Sequence, residues 1–261
     1  MDDRSPLGSV DKALMALLRL GDAGSEGLPL SRLAADLGLH KASLHRTLSA
    51  LRHRDFVEQD EATGAYRLGA NLLALADSYL RDGSLRGLLH EGLRKLSAKV
   101  SELCHLGTLS GNEIVYVDKV EPQRAIRVWS EIGRRSPALT TALGRAIISH
   151  SFADFESFAA SFPDEIPART PFTRRSPVAL WEELAAARLR GFAKEEQENE
   201  PGITCIAVAI KRGGIATTAI SITAQHERMP PDRMAFLADT LRETVRPFLP
   251  PGFSFQEPMA S

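Results

Sequence analysis

The stretch from residue 28 to residue 69 constrains the fold of this chain more than any other. It reads LPLSRLAADLGLHKASLHRTLSALRHRDFVEQDEATGAYRLG. Apolar residues at helical spacing predict a short helix that ends at Gly38, because glycine readily terminates a helix. A second helix is predicted over roughly residues 41–53, with leucines every three or four residues along one stripe that must face a core.

Two extended segments follow the second helix, at residues 56–59 and 66–68. A polar turn that contains Gly64 joins them, which is the pattern of a β-hairpin. Two helices around a glycine turn, followed by a hairpin, are typical of a winged helix-turn-helix, whose second helix enters the major groove of DNA. We therefore predict that the N-terminal part of the chain binds double-stranded operator DNA.

The exposed face of the second helix supplies the candidate DNA contacts. This face carries small, polar and basic side chains opposite the leucine stripe, and its N-terminal residues are placed to meet base edges and phosphates. On the wing, Arg67, or Thr63 at the tip, is placed to reach a phosphate. The predicted DNA-binding residues are Lys41, Ala42, Ser43, His45, Arg46, Ser49 and, on the wing, Arg67.

Charge supports this interpretation only locally. Residues 1–80 hold 9 Lys/Arg and 11 Asp/Glu, whereas residues 38–54 hold four basic residues and no acidic one. A nonspecific DNA binder needs a larger basic patch, but a sequence-specific dimer with two such helices does not. The alternative is a helical hairpin that only packs, with these cations as a solvated face.

The bulk composition predicts a two-domain protein of the cytoplasm. A chain of 261 residues can bury two cores, and its charged share of 25% and hydrophobic share of 43% are ordinary for globular proteins. No apolar run is long enough to cross a membrane, and the polar, acidic N-terminus does not read as a secretory signal. Cys104 and Cys205 are too few for a disulfide framework, so both are predicted to be free thiols.

Periodicity divides the chain into four parts. We predict a DNA-binding domain at residues 7–69, a connector helix at 70–84, a second domain at 85–252 and a loose, proline-rich tail at 253–261. A first helix, capped by Ser9, completes the three-helix core of the DNA-binding domain. The apolar stripe of the connector helix is either a dimer surface or packs on its own chain.

The second domain is predicted to be α+β. Its hydrophobic period changes from helical to alternating after residue 103, which predicts antiparallel hairpins around glycine turns, with helices packed against the sheet. Strands are predicted at residues 104–109, 114–117, 126–129, 205–210 and 215–222. Helices are predicted at residues 85–100, 142–149, 177–190 and 232–248.

Five motifs identify a family through their order and spacing. They are SVDKAL at residues 9–14, LGLHKASLHRTLSAL at 37–51, YRLG at 66–69, IGRRSPALTTALGRA at 132–146 and LRGFAKEEQENEPGITCIAVAI at 189–210. With these motifs, nearly the whole chain resembles the IclR family of bacterial transcription regulators. The resemblance implies a GAF-like effector-binding domain, a homodimer or dimer of dimers, and a small molecule that changes promoter binding. Repression and activation both remain open.

The resemblance also implies an effector pocket where the hairpins meet the short helix. The matching residues are Val128, Ala142, Leu143, Glu195, Ile203, Cys205, Ser221 and Thr223. Backbone amides near Gly144 and the hydroxyls of Ser221 and Thr223 are placed to hold a carboxylate, so the expected effector is a small organic or aromatic acid, without a cofactor. Two departures leave the effector class open, because Arg145 stands where the family usually has lysine and Ala209 where proline is common.

Three other classes of protein fit the sequence less well. An enzyme is disfavoured because no nucleophile elbow or Walker loop is present, and because Cys205 opens an apolar strand. No metal site is predicted, since the histidines do not stack on a helix face and the acidic run at residues 195–200 lacks a calcium-loop pattern. This run is interpreted as a surface loop, with Glu195 turned toward the pocket. A sensor that has lost DNA binding is disfavoured by the acid-free face around Lys41 and Arg46.

Overall fold

The computed structural model describes residues 8–80, 85–122, 131–162 and 165–259 of the chain. The chain divides into two compact units between Arg81 and Asp82. Val128 and the strand predicted at residues 126–129 lie outside the described residues.

Within residues 8–80, four helices accompany a three-stranded antiparallel sheet with the order β1-β3-β2. The elements are α1 (Gly8–Ala23), β1 (Leu28–Pro29), α2 (Leu30–Asp36), α3 (Lys41–His53), β2 (Val57–Gln59), β3 (Ala65–Leu68) and α4 (Asn71–Leu80). The predicted helix-turn-helix and wing are therefore confirmed. The edge strand β1 was not predicted, and Ser9 lies inside α1 rather than capping it.

One buried cluster joins the helices of this first unit. Leu20 of α1, Leu33 of α2 and Leu44 of α3 are fully buried together, as the leucine periodicity predicts. Gly38 has a φ of +63° between α2 and α3, a conformation that glycine adopts without strain. This packing turns the opposite face of α3 outward.

The second unit combines a seven-stranded antiparallel sheet with helices on both faces. The helices are α5 (Leu85–Val100), α6 (Ala142–Ile148), α7 (Phe155–Ser161), α8 (Pro177–Arg190) and α9 (Pro231–Val245). The strands are β4 (Leu103–Ser110), β5 (Glu113–Val120), β6 (Arg135–Pro137), β7 (Ala193–Glu196), β8 (Ile203–Arg212), β9 (Ile215–Gln225) and β10 (Phe253–Phe255). The path through the sheet is β10-β8-β9-β4-β5-β6, and β7 also pairs with β8.

Alternate residues of the strands face two separate cores. In β8, Ile206 and Val208 pack in the cluster of α5 and α9, whereas Ala207 and Ala209 pack in the cluster of α6 and α8. This follows from the two-residue period of a strand. The small residues on the second face let α6 approach the sheet closely.

The C-terminal tail, predicted to be loose, is part of the fold. β10 pairs antiparallel with the end of β8, and Phe255 is buried. The side-chain amide of Gln256 donates to the carbonyl of Ala187 at 2.8 Å. The tail was predicted to be loose because it is rich in proline. Pro250 and Pro251 precede β10, however, so they do not interrupt the hydrogen bonds between β10 and β8.

The acidic run at residues 195–200 is only partly a surface loop. Glu200 is exposed in the loop that follows β7, whereas Glu195 belongs to β7, and Glu195 and Glu198 are each only 1% exposed. The prediction was wrong for Glu198, because its buried partner Arg145 is distant in sequence. The short elements α7 and β6 were not predicted either. No helix among the described residues has the length and apolar character that crossing a membrane requires.

Candidate nucleic-acid interface and effector cavity

The N-terminal half of α3 faces solvent with the side chains predicted to contact DNA. Exposed side chains on this helix are Lys41, Ala42, His45 and Arg46, and Ser43 and Ser49 are half-buried beside them. The Oγ of Ser49 donates to the carbonyl of His45 at 2.9 Å, within the helix. The six α3 residues predicted from sequence thus share one accessible surface.

Carboxylates of the first unit neutralise cations away from that surface. Arg19 and Arg32 both pair with Asp36, at 2.7 and 2.9 Å. By contrast, Lys41 and Arg46 have no carboxylate within ion-pair distance among the side chains described in residues 8–75. The slight acidic excess of the unit therefore does not neutralise the cations on the exposed face of α3, which stay available to bind DNA phosphates.

On the wing, the predicted contact residue Arg67 has carboxylate partners. A guanidinium nitrogen of Arg67 donates to Asp60 at 2.7 Å, and another lies 3.7 Å from Glu58. Asp60 also accepts from the amide and hydroxyl of Thr63, which hold its pKa below the usual value. Arg67 therefore stabilises the wing, in contrast to the α3 cations, which have no carboxylate partner.

A second candidate site lies in the other unit, on the α6 side of the sheet. The strand register pairs Glu195 of β7 with Cys205 of β8, and Cys205 with Thr223 of β9. In the neighbouring row, His105 of β4 pairs with Ser221 of β9. Alternation turns these polar side chains away from the α5–α9 core, so they gather beneath the start of α6.

Two small adjoining cavities, of about 40 and 20 Å³, lie between these rows and α6. Both are bordered by His105, Tyr116, Glu195, Asn199, Cys205 and Thr223. Ile203 borders the first as well, and Ala142, Leu143 and Ser221 border the second. The structure thus brings together every residue predicted for the effector pocket except Val128, which lies outside the described residues.

Sequence reasoning missed His105, Tyr116 and Asn199 as cavity residues. The rings of His105 and Tyr116 lie 4.9 Å apart, centroid to centroid. A signal for His105 was available, because it alternates with two apolar neighbours in β4 and must face the other side of the sheet. Tyr116 and Asn199 reach the cavity through tertiary contacts that no local pattern reveals.

Burial sets the protonation of the cavity groups. It raises the pKa of Glu195 to about 7, even though the Cys205 thiol and two backbone amides donate to this carboxyl. It also raises the pKa of Cys205 far above its usual value, lowers that of His105 to about 3 and raises that of Tyr116 to about 12. At neutral pH the Cys205 thiol, the His105 imidazole and the Tyr116 phenol are therefore uncharged, whereas Glu195 is present in both its protonated and its ionised form. Across the described ranges, no three His, Cys, Asp or Glu side chains are grouped to hold a metal ion.

A buried ion pair fixes the segment that carries Glu195. Arg145 is fully buried, and its guanidinium donates to both carboxylate oxygens of Glu198, at 2.7 and 2.6 Å, and to two backbone carbonyls. The backbone amide of Glu198 in turn donates to Glu195 Oε2 at 3.0 Å. A buried pair of charges is tolerated because every donor and acceptor is satisfied in this way.

The backbone at Gly144 narrows the choice of predicted amide donors. The amide of Gly144 itself donates to Thr141 Oγ1 at 3.1 Å, at the start of α6. Only glycine fits here, since a Cβ would lie 2.1 Å from the carbonyl oxygen of Ala138. The other amides near Gly144 and the hydroxyls of Ser221 and Thr223 stay as the predicted carboxylate donors.

Comparisons with known proteins cover most of the chain. The family profiles "IclR helix-turn-helix domain" and "Bacterial transcriptional regulator IclR C-terminal" match residues 9–61 and 77–248. The HTH-type transcriptional regulator XynR of Escherichia coli K12 is 30% identical over 236 residues, covering 90% of this chain and 93% of XynR. The DNA-binding transcriptional repressor YiaJ of the same organism is 28% identical over 223 residues, covering 84% and 79% of the two chains.

Solved structures share the fold. An IclR homologue from Microbacterium hydrocarbonoxydans, crystallised in complex with 4-hydroxybenzoate, superposes with a TM-score of 0.72 at 22% identity. The match covers 90% of this chain and 99% of that one.

Proposed function

The chain belongs to the IclR family of DNA-binding bacterial transcriptional regulators, and from that premise we propose that α3 reads an operator sequence in the major groove. The proposed contacts are Lys41, Ala42, Ser43, His45, Arg46 and Ser49. The observation that carries the proposal is the exposed, acid-free face of α3, because cations without carboxylate partners are available to phosphates and guanines. Arg67 is not included, since the wing carboxylates hold it.

The test compares two double variants of the full chain. K41A/R46A removes the two unpartnered cations of α3, whereas R19A/R32A removes two cations that Asp36 already neutralises. Binding to the DNA upstream of the gene is followed by fluorescence anisotropy. We expect K41A/R46A to abolish selective binding while R19A/R32A retains it. Equal binding by both variants contradicts the assignment of α3.

For the cavity we propose a small organic or aromatic acid as the effector. Support comes from the mixture of the apolar Ala142 and Leu143 with the hydroxyls of Ser221 and Thr223, which is the composition of a small-ligand site. The structural neighbour that binds 4-hydroxybenzoate makes the same class of ligand a reasonable choice here. Both cavities are too small for such an acid, so its binding requires the side chains between them to move apart.

The protonation of Glu195 gives this proposal a specific chemistry. With a pKa of about 7, its carboxyl is available in the protonated form to donate a hydrogen bond to an incoming carboxylate. Binding of an anionic effector then takes up a proton. We therefore expect affinity for an acid to rise as pH falls through 7.

Calorimetry with 4-hydroxybenzoate and a series of smaller acids tests the site. The wild type is expected to bind an acid more tightly at about pH 6 than at about pH 8, and Glu195→Gln to lose that difference. Ser221→Ala is expected to weaken binding at both pH values. Unchanged affinity in Ser221→Ala, or equal pH dependence in Glu195→Gln, counts against the site.

Assembly and the sign of regulation complete the proposal. A homodimer is favoured because Leu18 of α1 and Leu73 and Leu75 of α4 are 72%, 74% and 56% exposed in a single chain. Repression is favoured by the similarity to YiaJ. A cytoplasmic location is part of the proposal, because a regulator acts on chromosomal DNA. No catalytic step or cofactor is assigned, since the raised pKa of Cys205 makes its thiol a poor nucleophile.

A further inference from the structure

Helix α1 brings a cation to the edge of the proposed DNA-binding face. The Nζ of Lys12 donates to the Oγ of Ser43, in the first turn of α3, at 3.2 Å. Lys12, Ser43 and Arg46 line the same groove between α1 and α3. The contact spans 31 positions of sequence, so nothing in the helix-turn-helix pattern identifies Lys12.

The two cations of α1 differ in their electrostatic surroundings. Arg19 donates to Asp36 through two guanidinium nitrogens, at 3.0 and 2.7 Å. Lys12 has a hydroxyl as its partner and no carboxylate within ion-pair distance in the described part of the first unit. Its charge therefore adds to that of Arg46 instead of being neutralised.

We propose that Lys12 binds a backbone phosphate of the operator, so that α1 forms part of the DNA-binding surface. The proposal rests on the proposed role of α3, because it places the phosphate beside the first turn of that helix. The first turn of a recognition helix enters the major groove to contact base edges, and side chains from neighbouring elements contact the sugar–phosphate backbone beside the groove. A lysine there presents a compact charge on a flexible stem, which suits a phosphate rather than a bidentate contact with a base.

A purely structural role for Lys12 makes a different prediction. If the side chain only links α1 to Ser43, a glutamine that keeps a hydrogen-bond donor replaces it without effect on DNA. If Lys12 binds a phosphate, removing its charge reduces the number of counterions released on binding, whether or not the link to Ser43 persists. The salt dependence of DNA binding separates these two roles, since each neutralised phosphate adds about 0.9 to the slope of log affinity against log salt.

The experiment measures anisotropy with the full chain and two duplexes across a salt series. One duplex carries the DNA upstream of the gene and the other a random sequence. The variants are K12Q and K12M, with K12R to restore the charge. R19Q is the matched control, because it removes one positive charge from the same helix at a site that Asp36 neutralises. Thermal unfolding of each variant verifies that the fold is retained.

We expect K12Q and K12M to lower the salt slope by about 0.9 for each phosphate that Lys12 neutralises in the wild-type complex. The ratio of wild-type affinity to variant affinity should then fall about 3.5-fold for each such phosphate when the salt concentration rises from about 50 to about 200 mM. The deficit should be the same on both duplexes, since binding to a phosphate carries no sequence information. K12R and R19Q should match the wild-type slope.

Two results overturn the inference. One is a K12Q slope equal to that of R19Q, and the other is a K12Q deficit confined to the upstream duplex, which indicates base reading. Failure of the wild type to prefer the upstream duplex refutes the assignment of α3, and the slope on random DNA still tests Lys12 separately.

Discussion

The replacement Glu195→Gln should change how the stability of the second unit depends on pH. The folded pKa of Glu195, about 7, lies above its ordinary value of 4.5 because burial disfavours the carboxylate. A raised carboxyl pKa contributes stability that is fully present below 4.5 and is lost as pH rises through 7. At about 1.4 kcal/mol for each pKa unit, the loss amounts to about 3 kcal/mol, of which most falls between about pH 5 and about pH 8.

Chemical denaturation followed by tryptophan fluorescence measures this effect. Trp181 lies in α8 of the second unit, and residues 1–81 contain no tryptophan, so the first unit does not contribute to the signal. The wild type should lose about 2 to 3 kcal/mol of unfolding free energy between about pH 5 and about pH 8 relative to Glu195→Gln. The depressed pKa of His105 acts in the opposite direction, reducing stability as pH falls below 6.5, and it is common to both proteins.

The matched control is Glu196→Gln. Glu196 is the next residue of β7, faces the other way and pairs with Lys194 at 2.5 Å. The unfolding free energy of the Glu196→Gln variant should depend on pH as that of the wild type does. The reasoning is refuted if Glu195→Gln and Glu196→Gln show the same pH dependence, because burial of the Glu195 carboxyl then has no effect on its protonation.

Three further predictions concern the scaffold of the second unit. Arg145→Met leaves the buried Glu198 carboxylate with Arg174 as its remaining cation and should lower the unfolding free energy by about 3 kcal/mol. Arg135→Met, at an exposed pair with Glu113, should cost at most about 1 kcal/mol, and denaturation followed by tryptophan fluorescence compares the two variants. Gly144→Ala forces a Cβ against the carbonyl of Ala138 and should cost about 3 kcal/mol or more, whereas Gly8→Ala, with open space around it, should leave the thermal midpoint unchanged. Truncation after Gly252 removes β10 and the buried Phe255 and should lower the thermal midpoint of unfolding by about 10 °C. Light scattering should rise, because the edge of β8 is then exposed. An unchanged midpoint means that the tail contributes nothing to the fold.

Periodic segments with clear boundaries were predictable from sequence. The range predicted for α3, residues 41–53, is the range observed, because a leucine stripe and Gly38 mark the helix locally. The β8–β9 hairpin followed in the same way from alternating apolar residues around Gly213 and Gly214. In these segments local propensity and tertiary packing favour the same structure.

The parts that were not predictable depend on partners distant in sequence. The acidic run was expected at the surface because charged residues are rarely buried alone, and its burial depends on Arg145, 53 residues away from Glu198. The pairing of the wing arginine Arg67 with Asp60 was not predicted either, because Asp60 is not recognisable as its partner from sequence. The cavity itself forms only when β4, β7, β8 and β9 lie in register.

Selective binding to DNA tests the central claim most directly. The purified full chain is titrated by anisotropy against the DNA upstream of its gene and against a random duplex, across a salt series. The account predicts tighter binding to the upstream DNA and a steep fall in affinity with salt, since unpartnered cations on α3 meet phosphates. Equal affinity for the two duplexes, with no dependence on Lys41 and Arg46, contradicts it.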